Sequence, residues 1–207
     1  EKQDTLANTF NNCKDENWSN LWSCSAGYNF VDDVIWSTPA LHYHGTHVAW
    51  TLWAEWWNNQ WIVGVNPGVK IMWLKVWNYA DLSVSDIISA INFARQNNVK
   101  IINASFWGSL YSSSLKTAIE SFVNSGWIFV TAAGNGDIYW DVFWDNHDVG
   151  YHIYPCDYTL DWIVCVAAND NTDNLTSFSD YGILSVDVAA PWYNIYSSAL
   201  TGGYEYH

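Results

Sequence analysis

From Ile71 to Trp127 two kinds of apolar pattern alternate, and this alternation restricts the folds open to the chain more than any other feature. Apolar runs of strand length occupy Ile71 to Val76, Val99 to Asn103 and Trp127 to Ala132. Between them lie longer segments of helical period. Ile87, Ile88, Ile91 and Ala94 share one face behind a Ser85 cap, and Leu115, Ala118, Ile119, Phe122 and Val123 recur between Ser113 and Ser125. Gly126 is placed to stop the second helix. Strand, helix and strand joined by short connections are crossover units, so the pattern predicts an α/β chain with a mainly parallel sheet. Ile163 to Ala168 and Val186 to Ala189 add two further strands.

The rest of the chain is less regular. Residues 1 to about 40 are polar and rich in Asn, Asp and Ser, and only Gly27 to Val31 reads as a strand. Between Gly134 and Pro155 a long acidic and aromatic insertion carries Asp137, Asp141, Asp145, Asn146 and Asp148. Such a run can supply oxygen ligands to calcium, but it reads first as a solvated acidic loop. The 207 residues suffice for one domain, and no apolar run is long enough to cross a bilayer. A net charge of −14 without any Lys/Arg cluster argues against nucleic acid and anionic membrane as partners. Cys13, Cys24, Cys156 and Cys165 form two local pairs, which suits an exported protein.

The sharpest local signal is His42-Tyr43-His44-Gly45-Thr46-His47, followed by a helical segment to about Glu55. The spacing admits a metal site built from His42, His44 and His47. It equally admits His44 as a general base at the start of a helix, with His47 packed one turn on, or histidines that only cap and cover.

Seven segments in order bear on that choice. His44-Gly45-Thr46-His47-Val48-Ala49 resembles the histidine motif of the subtilisin-like serine proteases, the subtilases of peptidase family S8. Gly64-Val65-Asn66-Pro67 with Leu74-Lys75-Val76 is similar to the segment after the catalytic helix, and Ile101-Ile102-Asn103-Ala104-Ser105 to the substrate-binding strand. Thr131-Ala132-Ala133-Gly134-Asn135 resembles the oxyanion motif. Tyr154-Pro155, Ser177-Phe178-Ser179-Asp180-Tyr181-Gly182 and Val186-Asp187-Val188-Ala189-Ala190-Pro191 follow as in the second half of the family's domain.

The resemblance implies a three-layer α/β/α peptidase domain, of which residues 1–207 are the central part and about 1–26 a poorly matched loop region. It implies a Ser-His-Asp triad in which His44 takes and returns the proton, with Asn135 donating to the oxyanion. Ser105, Phe106, Trp107 and Gly108 would form one edge of the substrate cleft, Ala132, Ala133 and Gly134 the other wall of the first pocket, and Ala80 to Ser83 the opposite edge. Polypeptide substrates, a monomer, a secreted or cell-surface location, no catalytic cofactor and structural calcium are further implications.

Two triad members have no counterpart. Asp4-Thr5-Leu6 lacks the glycine and the preceding apolar strand of the family's aspartate motif, Asp32 and Asp33 match its acidic loop, and the serine is expected about four residues past His207. Ser197 and Ser198 precede that point and are not nucleophile candidates. Two alternatives remain: a non-catalytic scaffold relative, and a metal-dependent hydrolase using the three histidines.

The chain holds 16 Trp beside 12 Gly, and Trp50, Trp107 and Trp192 stand where the family pattern has glycine, with Trp57 and Trp61 looking similar. Glycine is used where φ is positive or backbones approach closely, so the largest side chain at such positions predicts strain. Glycine codons read as tryptophan account for the excess, since TGG and TGA differ by one base and genetic codes differ in how they read TGA.

Overall fold

The computed structural model describes residues 13–14, 20–21, 27–35, 43–54, 62–77, 82–136, 152–199 and 203–207. Asp4, Cys24, His42, Trp57, Trp61, Ala80 and the acidic run from Asp137 to Asp148 lie outside the described residues. The chain forms two compact units, Glu1–Phe93 with Ile195–His207, and Ala94–Asn194.

In the first unit, β1 (Cys13–Lys14) and β2 (Asn20–Leu21) form an antiparallel pair. A three-stranded sheet places β3 (Gly27–Asn29) between antiparallel β4 (Val34–Ile35) and parallel β5 (Trp73–Lys75). α1 spans Tyr43–Trp53 and α2 spans Val84–Gln96, the last three residues of α2 belonging to the second unit. Phe93 of α2 packs against Tyr28, Phe30, Met72 and Leu74, with its ring centroid 5.4 Å from Tyr28 and 5.7 Å from Phe30. Burial of such aromatic faces is the main favourable term holding a helix to a sheet.

The second unit carries the predicted crossover architecture. β6 (Ile101–Ala104), β7 (Ile128–Ala132), β8 (Ile163–Asn169) and β9 (Val188–Pro191) form a four-stranded sheet in that order, parallel throughout. α3 (Ser113–Val123) connects β6 to β7. Its apolar face is the predicted one: Leu115, Ala118, Ile119, Phe122 and Val123 are all buried, and Phe122 meets Phe129 of β7 edge to face. Ser112 caps α3 by accepting from the Leu115 amide, and Gly126 reverses the chain after it with φ +80°. The chain returns to the first unit through β10 (Tyr196–Ser198) and β11 (Tyr204–Tyr206), an antiparallel pair.

Several sequence expectations are corrected. α2 begins at Val84, so Ser83 rather than Ser85 precedes it, and the Ser83 carbonyl accepts from the Ile87 amide. Ile88 is only half-buried, whereas Ala90 and Phe93 are buried, because the face in contact turns toward Phe93. The strand expected from Val186 starts at Val188; just before it the Asp187 amide donates to the Cys165 carbonyl at 3.0 Å, but the Cys165 amide is taken by the Asp187 side chain at 2.8 Å. Trp50, Trp107 and Trp192 do not adopt positive φ. Trp162 does, at φ +69° with 61% of its surface exposed, although nothing in the sequence singled it out. A bulky residue in that region is an outlier, because its Cβ crowds the following carbonyl.

Candidate active site

Parallel pairing of β6 with β7 sets Ala104 beside Thr131, so both strands leave the sheet at the same end. Ser105 to Gly108 follow the first strand, and Ala132 to Asn135 close the second. The pairing therefore brings the predicted substrate edge and the predicted oxyanion segment side by side. The Thr131 hydroxyl donates to the Phe106 carbonyl at 3.3 Å and ties the two together, and on the other side the Ala133 amide donates to the Val166 carbonyl of β8 at 2.9 Å. Ser105 and Asn135 are exposed, Phe106, Trp107 and Gly108 half-buried, and Ala133 and Gly134 buried.

Gly134 cannot be another residue here. Its φ is +122°, and the carboxylate of Asp180 occupies the space a Cβ would need. Asp180 has no exposed surface, and its amide donates to the Gly134 carbonyl at 3.1 Å. The Ser179 hydroxyl accepts from the Ala168 amide at 2.8 Å and donates to the Asp180 carbonyl at 2.9 Å, tying this turn to β8. The Ser-Phe-Ser-Asp motif was legible, but its role was not, since an aspartate in a polar run reads as surface.

His44 stands in the first turn of α1, in the first unit, and is half-buried. One turn on, His47 is 1% exposed, with Nε2 3.0 Å from the Ile195 carbonyl. A carbonyl only accepts, so Nε2 carries the proton and donates. Burial holds the His47 pKa below its ordinary value and the neighbouring His207 adds to this, while the carbonyls of Ile195 and Glu205 and the Glu205 charge pull the other way. The His207 ring meets His47 edge-on at 4.8 Å and stacks on Tyr43 at 5.1 Å.

The backbone carbonyl of His47 accepts from the Thr51 hydroxyl at 2.8 Å and from the fully buried Ser197 hydroxyl at 3.0 Å. Ser197 thus moors the helix that carries His44 to β10, a function the sequence offered no means to find. For the metal reading, His42 lies outside the described residues and His47 commits Nε2 to a carbonyl. Among the described residues no three His, Cys, Asp or Glu side chains are grouped to hold an ion. Asp32 and Asp33 belong to a local turn: Asp32 accepts from Asn29 and lies 3.8 Å from the Lys75 ammonium, and Asp33 accepts from the Tyr28 hydroxyl.

The parallel four-stranded sheet of the second unit, with the Ser105–Gly108 and Ala132–Asn135 segments leaving it at one end, fits the class of subtilisin-like hydrolases. The profile of the Subtilase family, peptidase S8, matches residues 3–207. Subtilisin DY of Bacillus licheniformis is 35% identical over 173 residues, 83% of this chain and 59% of its own length. Thermitase of Thermoactinomyces vulgaris is 33% identical over 180 residues, 86% of this chain and 59% of its own. The crystal structure of a cold adapted subtilisin-like serine proteinase superposes with a TM-score of 0.71 at 29% identity, over 87% of this chain and 60% of that one. The chain belongs to the subtilase family, and it spans three-fifths or less of the length of these relatives.

Proposed function

We propose that the whole protein is a serine endopeptidase that hydrolyses polypeptides through a Ser-His-Asp triad, with its serine and aspartate outside these 207 residues. The carrying observation is the register of β6 and β7, which sets Ser105–Gly108 beside Ala132–Asn135 at one end of a parallel sheet. An extended peptide adds to the Ser105–Gly108 edge through its backbone, so specificity is broad, with an apolar side chain preferred in the first pocket walled by Ala132, Ala133 and Gly134. His44 removes the serine proton as the nucleophile attacks and returns it to the leaving amine. The Asn135 amide donates to the oxyanion of the tetrahedral intermediate, where charge develops only in the transition state.

On this reading residues 1–207 form the central part of one catalytic domain and by themselves hydrolyse nothing. The protein acts as a monomer and is exported, and the Cys156–Cys165 disulfide supports the export, since such bonds persist in oxidising compartments. The chemistry calls for no cofactor, and calcium, where bound, serves the fold.

Peptide hydrolysis by the full-length protein tests the proposal. His44→Ala is expected to lower kcat by about a million-fold, the scale of triad removal in a subtilisin. A full-length protein without serine-inhibitor-sensitive hydrolysis, or an undiminished His44→Ala variant, overturns it.

A further inference from the structure

We propose that the loop of residues 152–158 positions the substrate-binding edge, and that the Cys156–Cys165 disulfide holds this loop, so that engagement of extended peptides is thiol-sensitive. The inference rests on the reading of Ser105–Gly108 as the substrate edge. All the residues concerned belong to the second unit.

Beyond Ala104 the chain leaves the sheet, and Ser109, Leu110 and Tyr111 are exposed, so the sheet alone does not fix the course of this segment. The loop supplies two clasps. The Gly108 amide donates to the Tyr154 carbonyl at 3.0 Å, and the Tyr154 amide donates back to the Gly108 carbonyl at 2.8 Å. Further on, the Tyr158 hydroxyl donates to the Ser112 carbonyl at 2.9 Å and accepts from the Ser112 amide at 3.3 Å. Tyr111 lies between the clasps, edge-on to Tyr154 at 5.4 Å and to Tyr158 at 5.7 Å.

The loop in turn is held in two ways. The buried Asp157 carboxylate accepts from the Ile153 amide at 2.8 Å and meets Nδ1 of His152 at 3.1 Å, which sets the shape of the loop. Cys156, midway between the two clasps, joins the loop covalently to Cys165 in β8, with the Cα atoms 5.3 Å apart. Cys165 is fully buried and pairs with Thr131 of β7, so the bond ties the loop to the strand pair that carries the oxyanion segment.

A cavity of about 330 Å³ reaches the disulfide on the Cys156 side, between Tyr158, Leu184 and Ser185. A small dithiol enters there. Its thiolate attacks the Cys156 sulfur, the disulfide bond breaks, and Cys165 leaves as a thiolate that takes up a proton. The second thiol of the reductant then resolves the mixed disulfide, releasing Cys156 as a thiol and leaving the reductant as a cyclic disulfide, two electrons having passed to the protein. Freed of its covalent tie, the loop no longer holds Gly108 and Ser112 in place, while the β6–β9 ladder remains.

The experiment compares oxidised full-length protein with protein reduced by dithiothreitol, and with a Cys156→Ser/Cys165→Ser variant that isolates this bond from Cys13 and Cys24. Hydrogen exchange at the amides of Gly108, Ser112 and Tyr154 is expected to quicken about tenfold or more on reduction, with Val130 in β7 unchanged. KM for a hexapeptide is expected to rise about tenfold with kcat held within about twofold, while a single-residue ester is unaffected, and reoxidation restores both. Tyr158→Phe, which removes one clasp and keeps the ring, is expected to raise the hexapeptide KM about two- to fivefold. Unchanged exchange at Gly108 and Tyr154 in protein shown by thiol titration to be reduced overturns the proposal. So does a parallel loss of kcat on peptide and ester, which marks a merely structural bond. An oxidised protein that hydrolyses nothing defeats the protease reading instead, and the exchange result then decides the role of the loop.

Discussion

The candidate segments of the two units are held in place by different means. In the second unit the Ala132–Asn135 segment is set by main-chain pairing, through parallel bonds from β6 to β7 and β7 to β8, with the fit of Gly134 against Asp180 completing the turn. In the first unit the helix carrying His44 is moored by side chains, with the His47 ring on the Ile195 carbonyl and the Thr51 and Ser197 hydroxyls on the His47 carbonyl. A ladder spreads its hold over many bonds, so no single outward side chain decides it, whereas a tether concentrates it in a few replaceable groups. Chemistry lost through the second unit should therefore come from the reacting groups and the glycine, and that lost through the first unit from its anchors.

The largest effect that tests this contrast is expected at Asn135. On the proposed mechanism, Asn135→Ala should lower kcat of the full-length protein about 100- to 1000-fold with little change in KM, because an oxyanion donor acts only on the transition state. Gly134→Ala comes next. A methyl group directed at the Asp180 carboxylate from a backbone at φ +122° should cost about 2–3 kcal/mol, read as a shift in the denaturation midpoint. A neutral Gly134→Ala would mean that the turn yields and the ladder does not define it.

On the tether side, Ser197→Ala should cost about 1 kcal/mol, the worth of one buried hydrogen bond whose acceptor keeps a second donor in Thr51. A loss as large as that of Gly134→Ala would show that one hydroxyl dominates the mooring. His47 adds a dependence on pH. Its pKa is lowered in the folded protein, so below the ordinary value of 6.5 the unfolded chain takes up the proton first. Its contribution is complete above that pH and is lost as pH falls toward the folded pKa. Urea midpoints between pH 8 and 5 should fall more steeply for the native protein than for His47→Gln, which retains a donor for Ile195 and does not titrate.

The smallest expected effect is a gain. Trp162→Gly relieves a positive φ and should stabilise by about 0.5–1 kcal/mol after the greater freedom of glycine in the unfolded chain is counted. Reading the encoding DNA at Trp162, Trp50, Trp107 and Trp192 sharpens the point. TGA codons would identify these positions as glycine in the protein, and TGG codons would leave the strain at Trp162 as a property of the native chain.

Legibility in the sequence followed the same division. The elements of the second unit stood out because strand and helix differ in apolar period, and α3 with its buried face from Leu115 to Val123 is as expected. His44, Asn135 and the substrate segments were visible through local motifs, in which glycine and small residues mark constrained backbone. The contacts of Ser197, Thr131, Asp180 and Tyr158 were not, even where a motif contained the residue, since each acts on a partner from 25 to 150 positions away and nothing local names that partner. The Ser85 cap was misplaced because propensity locates helix ends only to within a residue or two, and Ile88 because the contact face is set by the packing of Phe93 on Tyr28, Phe30, Met72 and Leu74.

By itself, then, the sequence determined the α/β class, the succession of strands and helices along the chain and the family, because periodicity and short motifs are local properties of a chain. Tertiary structure alone decided which strand lies beside which, why Gly134 must be glycine, and which distant partners Ser197 and Cys156 meet. Those depend on pairing and packing between residues distant in sequence, whose energies exist only once the chain has closed on itself.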